Sequence, residues 1–269
     1  MHNLKANDDV FLPLVQECLF SILDDNGNIK RHGPAPQMPD IQILTLSLVA
    51  ESLSIHSEHH LFCKLKAEYG ADFPLLITRP QFNRRRRWLQ PVFKRLQQAL
   101  VAKRPTQEQF IVDLMPIPTA RIRRAYRTKA CTQDPALRPA KGRDHAHRCA
   151  FFGFKLHALI DKAGVFHDFQ ITSGNVHDVK QFMSLASTLE NCTIIADKGY
   201  IGVQYQKNLF ETAQVERITP LRKNQKKTSK WNYYLAKTRR RIETSFSQLT
   251  DQFAIKQNLA KSFNGFWAR

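Results

Sequence analysis

The residue pattern changes at Pro105, and this change limits the folds open to the chain. Before it, apolar residues recur at helical spacing, as in 10–23 and 41–53. After it, apolar runs of strand length alternate with segments of helical periodicity. The sequence therefore predicts a helical domain over 1–104 and a mixed α/β domain over 105–269.

Two helix ends in the first domain carry local signals. Asp40 stands directly before the second apolar run, where its carboxylate is expected to cap the helix. A third helix over 58–69 is followed by Gly70, which is expected to end it in the left-handed conformation. Both expectations concern short-range geometry that a structure can test.

Four consecutive arginines lie in a further predicted helix. Thr78 is expected to cap it, and Pro91 is expected to kink or divide it. A basic helix that follows shorter helices is typical of an element that contacts the DNA groove or backbone, and a solvated basic face is the alternative. The arginines with predicted DNA contacts are Arg84, Arg85, Arg86 and Arg87.

The second domain is predicted from strand-length runs and turn residues. The turn sequence over 161–164 (DKAG) joins two apolar runs and predicts a hairpin. The segment 119–148 is polar, lacks periodicity and is expected to be a loop. An antiparallel hairpin beside a parallel edge fits this order better than a doubly wound sheet. The predicted strands are 109–114, 151–160, 165–172, 192–196 and 217–221, and the predicted helices are 176–187, 203–212 and 232–253.

The charge balance favours a polyanionic partner. Lys and Arg number 41 against 23 acids, which gives a formal net charge of +18 and a pI near 10.0. A surplus of this size repels itself unless a partner neutralises it. No apolar run is long enough for a membrane span, and the N-terminus has no signal peptide. The five cysteines are scattered, which fits a reducing cytoplasm.

Three acids stand out because of their surroundings. Asp113 interrupts an apolar strand, and Asp197 directly follows another. Glu243 lies in a helix among basic residues. A carboxylate within a strand is costly to bury, so it is normally paired, metal-bound or turned to solvent. Taken singly each acid fits an exposed position, but together, in the order strand, strand, helix, they indicate a site.

Five segments resemble the DDE transposases of bacterial insertion sequences, and most closely the insertion-sequence 982 family. ADKGYI and RRIETSFSQL are specific when they occur together and in this order. The resemblance runs from about residue 5 to the end of the chain. The segments are 113–118 (DLMPIP), 152–157 (FGFKLH), 174–178 (GNVHD), 196–201 (ADKGYI) and 240–249 (RRIETSFSQL).

The resemblance implies a ribonuclease-H-like catalytic domain in which the three carboxylates converge. Asp113, Asp197 and Glu243 would then be both the catalytic residues and the metal ligands. Two Mg²⁺ ions, for which Mn²⁺ substitutes, would be bound by these oxygen ligands. By the same resemblance Asp113 bridges the two ions, and the other two acids each complete one coordination shell.

Further DNA contacts are predicted around these acids. Arg239 and Arg240 share a helical face with Glu243, so they can contact the scissile phosphate, restrain the carboxylate or form intrahelical ion pairs. Basic residues mixed with aromatics over 222–241 suit DNA binding, with a solvated linker as the alternative. His157 can contact the substrate or support a ligand of the site, but a packed or surface histidine is the favoured interpretation. The other predicted contacts are Lys155, His157, Lys198, Tyr200, Arg222, Lys223, Lys226 and Lys227.

The function implied is cleavage at insertion-sequence ends and strand transfer into target DNA. The expected partners are terminal repeats, target DNA and further copies of the chain on DNA, in the bacterial cytoplasm at the nucleoid, with no membrane. Family members usually continue beyond 263–269 (FNGFWAR), so the resemblance predicts a chain shortened at its C-terminus. The alternatives are a ribonuclease-H-like nuclease without strand transfer and an inactive, shortened transposase that only binds DNA.

Overall fold

The structure is a computed structural model that describes residues 3–134, 137–144, 148–200, 210–220, 233–258 and 260–268. The chain divides into two compact units. The first comprises Met1–Arg104 with Gln252–Ala254 and Trp267–Arg269, and the second comprises Pro105–Asp251 with Ile255–Phe266. The change in residue pattern at Pro105 coincides with the main boundary between them.

The first unit is helical in its described part. Its core is built from apolar side chains of all five helices, with Leu44, Leu65 and Phe82 fully buried. Thr78 and Gln81 form a capping box, and Pro91 lies in the first turn of a new helix, so both predictions for this segment are confirmed. The helices are α1 Leu4–Leu19, α2 Asp40–Ser52, α3 Glu58–Glu68, α4 Arg79–Trp88 and α5 Gln90–Ala102.

Two predicted helix ends were wrong. Asp40 is the first residue of α2, and its buried carboxylate accepts a hydrogen bond from the Ile29 N–H and pairs with Arg31 and Arg85. Its charge therefore joins segments of the unit instead of capping its own helix. Gly70 lies outside the left-handed region, and α3 ends before it at Glu68.

The second unit contains a six-stranded mixed sheet. Strand β3 pairs antiparallel with β1 along one edge, and with β2 and then β4 along the other. Beyond β1 follow β5 and β6, which run parallel to it. The predicted hairpin beside a parallel edge is confirmed. The strands are β1 Gln109–Ala120, β2 Ala140–Asp144, β3 Cys149–Asp161, β4 Phe166–Ser173, β5 Thr193–Ala196 and β6 Glu216–Ile218.

Helices cover both faces of this sheet. Val112 of β1 packs with Phe182 of the helix over Asp178–Ala186, while Ile111 packs with Ile242 of the helix over Tyr233–Asp251. Since neighbouring residues of a strand point to opposite faces, these two helices lie on opposite sides. We name the helices α6 Asp178–Ala186, α7 Tyr233–Asp251 and α8 Phe263–Trp267.

The sequence underestimated the strands of the second unit. β1 continues to Ala120, six residues beyond the predicted end, and β2 lies within the segment predicted to be a loop. A helical turn over Ile122–Arg124 also lies in that segment. Most of the predicted helix over 203–212 falls outside the described residues. No helix in the described parts of the chain is long and apolar enough to cross a membrane.

Gly153 permits the close approach of β3 to β1. A Cβ atom at this position would lie 2.2 Å from the carbonyl oxygen of Ile117 and 2.9 Å from the Cα atom of Pro118. Backbone atoms cannot withdraw as a flexible side chain can. We therefore expect Gly153→Ala to lower the free energy of unfolding by about 1–3 kcal/mol in a urea titration.

The matched control is Gly70→Ala. Its added methyl group would meet only the Lys66 carbonyl oxygen, at 3.4 Å, so stability should change by no more than about 0.5 kcal/mol. Equal effects of the two substitutions would show that the contact between β3 and β1 is less restrictive than these distances require.

Candidate active site

Two neighbouring parallel strands position two of the predicted acids. Val112 of β1 is in register with Ala196 of β5, and Asp113 and Asp197 are the next residues along each strand. Parallel strands lie about 4.8 Å apart, and residues in register point to the same face. The two aspartates therefore leave the sheet side by side, on the face that α7 covers.

Packing of α7 brings the third acid to the same place. Ile242 is fully buried against Ile111, Ala158 and Ile160, and Glu243 is the next residue along the helix. These contacts hold the part of α7 that carries Glu243 against the strand that carries Asp113.

The hairpin turn anchors α7 from the other direction. The Arg241 guanidinium donates a hydrogen bond to the carbonyl oxygen of Ala163, at 2.6 Å. Gly164 has a φ of +89° and lies directly beneath this guanidinium, where a Cβ atom would be only 2.5 Å from Arg241 Nε. The positive φ of the turn favours a glycine here, and the absence of a side chain leaves room for the Arg241 guanidinium.

One guanidinium joins the three carboxylates. Arg239 Nη2 lies 3.5 Å from Asp113 Oδ2 and 3.5 Å from Asp197 Oδ1, and its Nη1 donates to Glu243 Oε1 at 2.8 Å. Residues separated by 84 and 46 positions in sequence therefore converge on a single side chain. The intrahelical pair expected from the spacing of Arg239 and Glu243 is present, and the same arginine also restrains the two aspartates.

Exposure decreases from the helix towards the sheet. The Glu243 side chain is 58% exposed and that of Asp197 is 45% exposed, while Asp113 retains only 17%. The pKa of Asp113 is raised to about 6: burial raises it most, Arg239 and the Leu114 N–H lower it, and the other two acids contribute smaller upward effects. For Arg239, burial lowers the pKa, but the three carboxylates outweigh it and the net shift is upward. The Arg239 guanidinium thus favours the charged form of Asp113.

The donor set suits a hard divalent cation. Three carboxylates supply the oxygen ligands that Mg²⁺ and Mn²⁺ prefer, and the most buried one is the carboxylate that most needs a cation. As arranged, no three acids, histidines or cysteines of the described residues lie close enough to hold a metal ion. The guanidinium of Arg239 lies among the acids instead, so the set fits an ion once this arginine withdraws.

Three residues of the second unit that were predicted to contact DNA are buried. The ammonium group of Lys155 donates to the Val176 carbonyl oxygen, and the His157 ring is bonded to the Thr172 hydroxyl. Tyr200 is 1% exposed and packs against Phe182. These side chains have almost no surface to offer a nucleic acid, which corrects the prediction. The packed alternative for His157 is the one observed.

The remaining predictions near the site divide into two groups. Arg240 is exposed next to Arg239 and remains available for DNA. The other group lies outside the described residues: Arg222, Lys223, Lys226, Lys227 and the side chain of Lys198.

In the first unit, the four arginines of α4 serve two purposes. Arg85 donates to the Met38 carbonyl oxygen and pairs with Asp40, and Arg86 pairs with Glu51. The predicted DNA contacts of these two arginines are corrected, because their charges stabilise the unit itself. The guanidinium groups that are exposed belong to Arg84 and Arg87.

Known proteins resemble the chain most clearly in its second unit. Residues 104–269 match the family described as Transposase DDE domain. The transposase for insertion sequence element IS1106 of Neisseria meningitidis serogroup B is 33% identical over 109 residues, and this match spans 38% of the chain and 37% of that relative. The chain thus matches little more than a third of the relative's length.

Solved structures show weaker similarity. The piggyBac transposase in a synaptic complex with hairpin DNA has 10% identity and a TM-score of 0.43, over 96% of this chain and 61% of that one. A pre-cleavage Mos1 transpososome has 15% identity and a TM-score of 0.26, over 92% and 79%.

The family match and the fold are consistent. The mixed sheet flanked by helices, with the first acid on its central strand, is the ribonuclease-H-like arrangement expected from the sequence. The matched segment contains all three converging acids. Because the match extends over more than half of the chain, this protein belongs to the transposase DDE domain family.

Proposed function

We propose that this protein is a transposase that cuts DNA at the ends of its insertion sequence and joins those ends to target DNA. The observation that carries the proposal is the convergence of Asp113, Asp197 and Glu243 on one guanidinium. Three acids from a central strand, its neighbour and a covering helix form a compact anionic site that DNA can approach only with cations present. Family membership supports the reaction class.

The cofactor that the family implies is a divalent cation, and we propose two Mg²⁺ ions, with Mn²⁺ as a substitute. Asp113 would bridge the ions, and Asp197 and Glu243 would each complete one coordination shell. Bound there, the ions would supply activation of the attacking oxygen and stabilisation of the leaving oxygen of a phosphodiester. The exposure of Asp197 and Glu243 leaves their outer sides open to the DNA strand.

Arg239 would act in two ways. Without an ion its guanidinium neutralises the three carboxylates and holds them together. On loading it must withdraw, and a side chain freed at this position can reach the scissile phosphate with a bidentate hydrogen-bond donor. The same residue thus preserves the site before DNA binds and contacts the substrate afterwards.

Replacing Arg239 by glutamine should raise the affinity for Mn²⁺ at least about tenfold. Hydrogen bonds to charged groups contribute about 1.5–3 kcal/mol, and 1.4 kcal/mol corresponds to a factor of ten in affinity. The variant has no such bond to break when the ion enters. Mn²⁺ binding without DNA can be followed by electron paramagnetic resonance.

The control for this prediction is Arg240→Gln. Arg240 is exposed and forms no ion pair with the three acids among the described residues, so its removal lowers the general positive charge without vacating the site. Unchanged or weaker Mn²⁺ binding in Arg239→Gln would contradict the role given to this arginine.

The wider assignment rests on charge and on motifs. The formal charge of +18 supports DNA as the partner, with Arg84, Arg87 and Arg240 as exposed contacts. We propose that at least two copies assemble on paired ends, since both ends of an element must be brought together, and that they act at the nucleoid in the bacterial cytoplasm. The closer kinship with the insertion-sequence 982 family remains a prediction from the five segments quoted above.

The test uses duplex DNA that carries the ends of the protein's own element. With Mg²⁺ or Mn²⁺ we expect nicks at the ends and, with target DNA, joined products; with EDTA we expect binding without nicks. Nicks that never lead to joined products would favour the ribonuclease-H-like nuclease. Binding without cleavage in any metal ion would favour the DNA-binding protein without catalysis, and would overturn the proposal.

A further inference from the structure

The second unit contains a basic pocket that lies apart from the three acids. It encloses about 500 Å³ between the end of β1, the segment that follows it and the residues just before α8. Its polar lining consists of Arg121, Arg124, Arg127, Lys261, Thr119 and Thr128, and the rest of the lining is alanine. Four cations and no acid line this space.

Backbone hydrogen bonds run along the segment that carries the three arginines. The Arg124 N–H donates to the Arg121 carbonyl oxygen at 2.8 Å, and the Arg127 N–H donates to the Arg124 carbonyl oxygen at 3.0 Å. These are hydrogen bonds between residues three apart, as in a 3₁₀-helix, where side chains at that spacing lie above one another. The sequence spacing R-x-x-R-x-x-R therefore brings three arginines to the lining of one pocket, where the Arg127 guanidinium also lies over the Tyr126 ring, 5.1 Å from its centroid.

The segment that carries these arginines is anchored to the rest of the unit. Ala125 and Cys131 are buried, and the Cys131 N–H donates to the Lys261 carbonyl oxygen at 2.9 Å. The side-chain amide of Gln133 donates to the same oxygen, at 3.2 Å. These bonds hold the Lys261 backbone against the segment that carries the arginines, so residues with four cationic side chains line one pocket.

Within the part of the chain that the structure describes, no carboxylate neutralises the charges of the pocket. None of Arg121, Arg124, Arg127 and Lys261 forms an ion pair with a carboxylate of the described residues, and all four are exposed. Cations held this close repel one another unless an anion enters between them. Arginine presents a planar fork that fits phosphate oxygens bidentately.

We propose that this pocket binds backbone phosphates of DNA at a distance from the catalytic acids. Asp113 and Thr119 are six residues apart on β1, so they lie about 20 Å apart at most. That length corresponds to roughly six phosphates along one strand at 3.4 Å each. The pocket thus binds the duplex beside the scissile phosphate and determines which phosphate of the DNA strand lies in the active site. This inference rests on the proposed function.

The salt dependence of DNA binding tests the proposal. Each phosphate contact contributes a slope of about −0.9 to the plot of log affinity against log salt concentration. With a random-sequence duplex several helical turns long, Arg124→Gln should reduce the magnitude of the slope by about 1. The matched control is Arg123→Gln, which changes the same charge one residue away, outside the pocket.

The slope should be unchanged in Arg123→Gln, and both variants should melt at the native temperature. An unchanged slope in Arg124→Gln overturns the proposal. An equal reduction of the slope in both variants also overturns it, because it shows that only the total positive charge matters. Loss of binding to polyglutamate without a change in the DNA slope also overturns it, in favour of an acidic protein segment. Cleavage of the element's ends by the native chain is measured in parallel. If the native chain does not cut these ends, the proposed function has failed; if it cuts them, an unchanged slope counts against the pocket alone.

Discussion

Asp113→Asn should lower the rate of DNA cleavage by at least about a thousandfold while leaving the fold intact. Asparagine keeps the shape of the side chain but removes the charge that would bridge two metal ions. Metal ions stabilise transition-state charge by several kcal/mol, and each 1.36 kcal/mol changes the rate tenfold. Because burial raises the pKa of Asp113, the neutral amide should leave the folded chain at least as stable as the native one.

The control for this substitution is Asp251→Asn. Asp251 is an exposed acid at the end of α7, in the same unit, and its replacement makes the same change of one charge. We expect native cleavage by this variant and undiminished DNA binding by both. A cleavage rate in Asp113→Asn within tenfold of native would remove Asp113 from the catalytic site.

Ile242→Ala should lower the free energy of unfolding by about 2–5 kcal/mol and should also suppress cleavage, although every acid remains. Ile242 is fully buried between α7 and the sheet, next to Glu243. The cavity left behind loosens the helix that holds Glu243 and Arg239 over the two aspartates. Urea unfolding and end cleavage measured on the same preparation check both effects.

Gln248→Ala is the control on the same helix. Gln248 is exposed and alanine is a better helix former, so stability should change by less than about 0.5 kcal/mol. Full cleavage by a clearly destabilised Ile242→Ala variant would contradict the view that packing of α7 sets the geometry of the site.

Strand β1 illustrates where sequence reasoning stopped short. The strand was predicted only over 109–114, and beyond this range Pro116 and Pro118 lack the N–H that a central strand requires. In the structure β5 pairs with β1 only as far as Val112, so beyond that point one edge of β1 has no strand partner among the described residues. The two prolines are two residues apart, and both nitrogen atoms can face that edge. This tolerance depends on where another strand ends, which local sequence does not contain.

Strand β2 was missed for a related reason. Its sequence, AKGRD, has neither alternation nor β-branched residues, and it forms a strand because β3 offers it an unpaired edge. The hairpin of β3 and β4 was predictable, since turn residues and apolar runs agree there. Segments whose structure follows from local pattern were therefore assigned, and segments that depend on a neighbouring strand were not.

The candidate site was predictable in its acids but not in its full geometry. Motif order was sufficient to select Asp113, Asp197 and Glu243, and helical spacing paired Arg239 with the last of these. That Arg239 also reaches both aspartates depends on how α7 packs across the sheet. Burial of Lys155 and His157 could not be predicted either. Alternation along a strand shows which face a residue lies on, but not which element covers that face.

The central claim is that the three acids bind the metal ions needed for DNA cleavage. A metal-specificity rescue experiment tests this claim most directly. Cysteine at position 113, made as Asp113→Cys, replaces a hard oxygen ligand by a softer thiolate, which binds Mg²⁺ poorly and Mn²⁺ better. We predict that this variant fails to nick its element's ends in Mg²⁺ and regains nicking in Mn²⁺, whereas Asp113→Ala stays inactive in both ions. Native activity of Asp113→Cys in Mg²⁺, or an equal loss in both ions, would contradict the account.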